Sequence, residues 1–171
     1  KLSDETNLGA EFLKSQLKTE AKEEKQIEVK KEVNLQKYEK AEIDLIYYML
    51  KDSKVILQYE AKKIYLPTEK YRFLVRQICA FYQKYGNIDV ADFLTFIAED
   101  KEMIKALGEI TSRDLKETYT KEEIEDYIRC IDEYNRNLEI NNLKQKMKES
   151  IDYAEKIELA KKIAFLNGRG E

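Results

Sequence analysis

Four acidic residues, Glu122, Glu123, Glu125 and Asp126, crowd the segment after Thr120, and the chain contains no histidine. Clustered carboxylates suggest a hard-cation site or an acid–base pair. Hard cations need several oxygens converging from a loop, and carboxylate two-metal bundles combine their glutamates with Glu-x-x-His, which this chain cannot supply. First-turn acids attracted by a helix dipole account for the cluster. Without histidine the commonest general base, zinc ligand and partner of a nucleophilic Ser or Cys is missing. Cys79 and Cys130 lie far apart, each inside an apolar helical pattern, and read as buried small hydrophobes. No Gly-rich phosphate loop occurs. The expectation is a non-catalytic domain with no metal and no cofactor.

The elements behind these residues are helices. The 171 residues suffice for one domain, or one domain with an extension. With 43% hydrophobic and 38% charged residues, one Pro and five Gly, the composition predicts an all-α chain. A net charge of −3 offers no global positive field for a phosphate backbone, so direct nucleic acid binding is not expected as the main role. Lys144, Lys146, Lys148, Lys156, Lys161 and Lys162 alternate with acids and read as a solvated helix surface. The twelve tyrosines read as mostly core-facing rather than as a base-stacking platform. No secretory signal or membrane span is visible, and the two cysteines give no sign of an oxidising compartment, which points to the cytoplasm.

Residues 1–37 are dense in Lys and Glu and read as a flexible charged linker with nascent helix, Phe12, Leu13 and Leu17 forming its best stripe. Such a linker, and a start at Lys rather than Met, fit a piece of a larger protein. A bundle is expected over residues 38–130. Its helices run from about Glu39 to Lys51, from Lys54 to Lys62, from Glu69 to Tyr85 behind Pro67 and an N-capping Thr68, then a short one capped by Asp89, and one from Lys101 to Ile110. Glu69–Tyr85 is expected to be central, because Tyr71, Leu74, Val75, Ile78, Phe81, Tyr82 and Tyr85 recur at helical spacing. Gly86 supplies its stop.

Thr120 and Glu123 form a capping box that opens a long helix without Gly or Pro before Ser150. At 1.5 Å per residue it extends about 45 Å, longer than the bundle needs, so its second half is expected to project. The chain turns back near Glu149 to Asp152, and residues 131–171 become a projecting helical hairpin. On the last helix Tyr153, Ala154, Ile157, Ala160 and Ala164 share one face, while Ile151, Leu159, Ile163 and Leu166 share another. A hairpin buries one stripe per arm, which leaves the second set for a partner. Ile163→Asp is then expected to weaken docking while the bundle stays folded.

The segments KAEIDLIYYMLKDSKV, FLVRQICAFYQKYG, IDVADFL and TKEEIEDYIR, in that order from about Lys40 onward, resemble the C-terminal helicase-binding domain of bacterial replicative DNA primase. The resemblance implies a globular helical bundle followed by a helical hairpin that docks on the N-terminal domain of the hexameric replicative helicase. It implies recruitment of primase to the fork and modulation of the helicase, by a domain that is monomeric alone and makes no primers itself. The candidate partner-binding residues, taken from both faces of the last helix, are Ile151, Tyr153, Ile157, Leu159, Ala160, Ile163, Ala164 and Leu166. AEIDLIYYML and IDVADFL are also acceptable in the helicase's own N-terminal self-association domain, and a generic helical adaptor is the remaining alternative. A ligand-regulated or enzymatic helical domain would need a clustered polar pocket, which the sequence does not offer.

Overall fold

A computed structural model of the chain describes residues 36–168, and the expected linker lies outside them except for Gln36 and Lys37. The described residues form seven helices: α1 (Lys37–Met49), α2 (Ser53–Lys62), α3 (Glu69–Tyr85), α4 (Val90–Phe96), α5 (Lys101–Thr111), α6 (Lys121–Glu149) and α7 (Tyr153–Gly168). No strand occurs among them, and the class is all-α as the composition predicts.

Short polar side chains set most of the helix starts. Asp52 accepts from the Lys54 N–H at 2.9 Å, Asp89 from Ala91 and Asp92 at 2.9 and 3.1 Å, and Asp100 from Met103 at 3.0 Å. Each satisfies donors that the first helical turn leaves unpaired. The expected capping box of α6 is present in both directions, Glu123 N–H to Thr120 Oγ1 and Thr120 N–H to Glu123. Gly86, with φ +71°, ends α3 in the left-handed conformation that a side chain would strain. α1 begins two residues before its expected start, where the Gln36 N–H donates to Glu39.

Helix α1, rather than α3, is the central element. Every residue from Ala41 to Leu50 is buried, and α1 packs against α2, α3, α5 and α6. The apolar stripe of α3 holds for Tyr71, Leu74, Val75, Ile78 and Phe81, but Tyr82 is half-buried and Tyr85 exposed, so α3 covers α1 with one face. Periodicity could not reveal this. Glu42 and Asp44 interrupt the apolar pattern of α1, and a helix surrounded on all sides has no polar face to mark it. The tyrosines also depart from expectation: Tyr47, Tyr48 and Tyr71 are buried, while the others lie at the rim or outside it.

Burying a carboxylate is costly unless hydrogen bonds or a counter-charge compensate. Glu42, with no exposed surface, accepts from the Thr68 N–H at 2.9 Å and from the Thr68 hydroxyl. Thr68 is the N-cap residue of α3, yet its side chain makes no cap bond to its own helix. The carboxylate of α1 instead fixes the start of α3. Asp44 lies 3.4 Å from the Arg113 guanidinium, just past the end of α5. The Tyr48 hydroxyl donates to the Lys116 carbonyl at 3.3 Å, and Tyr119 donates to Asp52 at 2.7 Å. Both bonds hold the connection between α5 and α6 against α1 and the start of α2.

Burial pushes the Glu42 carboxyl above its ordinary 4.5, and the two Thr68 bonds only partly offset it. Asp44 is likewise raised by burial against the pull of Arg113 and Lys40. A raised acid favours the fold while protonated: the contribution is full below pH 4.5 and is lost as pH rises through the folded value. Urea unfolding across pH 4.5–7 is expected to give Glu42→Gln a flatter stability profile than the parent protein. Parallel profiles would contradict the assignment. Glu42→Ala, which strands the Thr68 N–H, is expected to lose about 1–3 kcal/mol at neutral pH.

Candidate functional site

The C-terminal hairpin grows out of the bundle through α6. Ile124, Ile128 and Ile131 are buried along its first half, against α1. The last holds on the bundle are the Tyr134 ring, stacked on Tyr38 with centroids 3.6 Å apart, and Asn135, whose amide donates to the Tyr65 carbonyl at 2.7 Å. The hydrogen bond with Tyr134, followed by burial, pushes the Tyr38 phenol up to about 12, so Tyr38 stays neutral across the physiological range. The boundary expected at residue 131 thus falls inside a continuous helix whose root reaches Asn135. Over its 29 residues α6 extends about 43 Å.

Beyond Asn135 the only buried residue of α6 is Ile140, followed by half-buried Leu143, Met147 and Ser150. On α7 the matching set is Lys156, Leu159, Ile163 and Leu166, of which Leu159 is buried and the rest half-buried. Both sets recur at three and four residues, the spacing of a narrow two-helix seam. The turn between the arms is shaped by Asp152, which accepts from the Ala154 N–H at 2.8 Å, and by Ser150 with ψ 139°. The principal packing of α7 is on α6.

The two expected faces of α7 are therefore exchanged. Leu159, Ile163 and Leu166, expected to meet a partner, line the seam instead. Tyr153 at 78% exposure and Ile157 at 41%, with exposed Ala154, Ala160 and Ala164, face outward. Ile151 is 99% exposed in the turn. The reason lies in size. Leu and Ile remove far more apolar area from water than Ala, so closing the hairpin on Ile140 and Leu143 favours the branched set. At 100° per residue Tyr153, Ile157, Ala160 and Ala164 fall within an arc of about 60°. Phe165, 61% exposed, lies to one side of that arc and escaped the wheel reading because it belongs to neither set.

Nothing in the remaining clusters adds chemistry. Of the four acids at the start of α6, Glu123 belongs to the capping box and lies 3.8 Å from Lys116, Glu125 lies 3.7 Å from Lys121, and Asp126 pairs with Arg129. No group of three or more metal-ligating side chains occurs among the described residues. Both cysteines are half-buried rather than fully buried as expected. Burial, then Glu60, pushes the Cys79 thiol up to about 12, and burial raises Cys130, so neither favours the thiolate. A groove of about 460 Å³ between α1 and α6 is lined by Lys37, Lys40, Asp44, Asp126, Arg129 and Glu133, whose charges offset one another. No described helix is long and apolar enough to cross a membrane.

Neither the models of protein families nor the curated proteins include a match to this sequence. The exposed surface of the hairpin is the outward face of α7: an apolar strip of two large and several small side chains on an arm whose opposite side is sealed. Such a strip can seat a partner helix closely, the alanines allowing approach and the large residues filling grooves.

The seam makes a local prediction. Leu159→Asp places a charge where the arms meet and is expected to release α7, raising amide exchange from Tyr153 to Asn167 while α3 keeps its protection. Exchange that rises equally in α3 would mean that hairpin and bundle unfold together.

Proposed function

We propose that this chain is a non-catalytic docking domain of a bacterial DNA primase, binding the N-terminal region of the hexameric replicative helicase through the outward face of its C-terminal hairpin. The observation that carries this reading is the strip of Tyr153, Ile157, Ala160 and Ala164, open on an arm already closed on its other side by Leu159 and Ile163. The ordered resemblance of KAEIDLIYYMLKDSKV, FLVRQICAFYQKYG, IDVADFL and TKEEIEDYIR to the primase family supports the choice of partner.

In this reading the domain works as a tether in the cytoplasm. Holding a polymerase domain at the helicase raises its effective concentration near newly exposed single strand, so primer synthesis follows unwinding without any added chemistry. The bundle anchors the hairpin at Tyr134 and Asn135 and gives the contact a fixed base from which to act on the ring. Capping bonds and ion pairs already engage Glu123, Glu125 and Asp126, which agrees with a role free of catalysis.

Isothermal titration against purified replicative helicase tests the assignment. The parent chain is expected to bind at micromolar or tighter affinity, and Ile157→Asp to bind at least about tenfold more weakly with an unchanged circular dichroism spectrum. Ile163→Asp is expected to fail for a different reason, by loosening the seam, and to lose helical signal as it does so. Full affinity of Ile157→Asp would remove the outward face from the proposal. No heat of binding, together with oligomers of the chain in light scattering, would favour the helicase's own N-terminal self-association domain.

A further inference from the structure

The bundle carries a second unpartnered apolar surface, and its charge differs from that of the hairpin. Helix α4 is held chiefly on α3, by Phe93, which is fully buried, with Ile97 buried just beyond its end. Its remaining large residues face outward: Val90 at 39%, Leu94 at 43% and Phe96 at 40% exposure. Phe96 stands 5.4 Å from Phe81, edge to face, and Phe81 stands 4.5 Å from the ring of Tyr85, itself 53% exposed. Together these rings floor a groove of about 510 Å³ with Asp89 and Asp92 on its rim.

From Gly86 to Asp100 the chain carries Asp89, Asp92, Glu99 and Asp100 and no Lys or Arg. Lys84 lies at one edge, its ammonium 4.9 Å from the Tyr85 centroid, and Lys101 follows at the other. Asp89 spends one carboxylate oxygen on the cap of α4, and no hydrogen bond or ion pair of the described residues engages the Asp92 carboxylate. An aromatic floor with ionised carboxylates beside it has one natural complement, a segment that brings apolar side chains together with Arg or Lys. The apolar groups fill the groove over Phe81 and Phe96, a cation lies over an open ring face, and its head reaches Asp92. Phosphate-bearing ligands and acidic membranes are repelled by the same rim.

We propose that the corner formed by Phe81, Tyr85, Asp89, Asp92 and Phe96 is a docking surface for a basic amphipathic segment of a partner protein. It does not depend on the hairpin reading. Residues 151–168 carry Asp152, Glu155 and Glu158 against Lys156, Lys161 and Lys162, a balanced surface that selects by shape, whereas the α4 corner selects by sign. A partner segment that fits one surface does not fit the other, so the domain can hold two partner segments at once.

The test is a titration of the isotope-labelled full chain, followed by amide resonances, with a short amidated peptide patterned as an amphipathic helix of Leu and Lys. Its Leu and Glu counterpart serves as the control. The Lys peptide is expected to shift Tyr85, Asp92, Thr95 and Phe96, the Glu peptide to leave them in place, and Asp92→Lys to weaken the Lys peptide at least about tenfold. Asp92 and Thr95 are exposed, so Asp92→Asn and Thr95→Lys serve as further variants if Asp92→Lys disturbs α4. Shifts confined to α7, equal binding of both peptides, or undiminished affinity of every variant would overturn the proposal.

Discussion

The structure depends on the burial of one helix that carries two acids. Because α1 is enclosed from Ala41 to Leu50, Glu42 and Asp44 cannot be left to solvent and must be met by partners from elsewhere in the chain. Thr68 and Arg113 meet them, and those two residues stand just before α3 and just after α5. An apolar helix in the same place would bury as much area without specifying which loop lies where. The acids trade some stability, visible in the raised proton affinity of both carboxyls, for a fixed register of the surrounding helices.

That register carries through to the hairpin. Tyr48 of α1 holds the Lys116 carbonyl, Tyr119 holds Asp52, and the capping box at Thr120 then starts α6 from a defined point. Tyr38 at the beginning of α1 stacks on Tyr134 at the place where α6 leaves the bundle. One buried helix thus touches both ends of the bundled half of α6 and sets its direction. The hairpin beyond has a much thinner seam, with Ile140 and Leu159 the only buried residues among those described. Fewer buried apolar contacts mean a lower free energy of local opening, so the arm can open while the bundle stays closed.

Much of this was legible in the sequence, and what was not has physical causes. Caps at Asp89 and Thr120 and the glycine stop at Gly86 act through bonds within a few residues, so local pattern sufficed to place the end of α3 and the starts of α4 and α6. The exchange of central helix was not local: Glu42 is tolerated inside only because Thr68, far along the chain, arrives with two donors. The faces of α7 were drawn correctly as sets and assigned to the wrong sides, since a wheel ranks residues by angle and not by the area each can bury. Leu159 and Ile163 outweigh Ala160 and Ala164 once that area is counted. The corner at Phe96 was missed because α4 is too short for a stripe to declare itself.

Helix α3 links these features into one body. It begins where Glu42 grips Thr68 and ends at Gly86, where the acidic aromatic corner begins, so its 17 residues set a separation of about 25 Å between the two. Its inner face is pinned to α1, the helix that also roots the hairpin. The root of the hairpin and the start of α3 are therefore both tied to α1, by the stack of Tyr38 on Tyr134 and by the bonds between Glu42 and Thr68. The two exposed apolar surfaces, on α7 and at the corner of α3 and α4, thus stand on elements whose register α1 sets. That accounts for a design in which the most enclosed helix holds the two most costly side chains to bury.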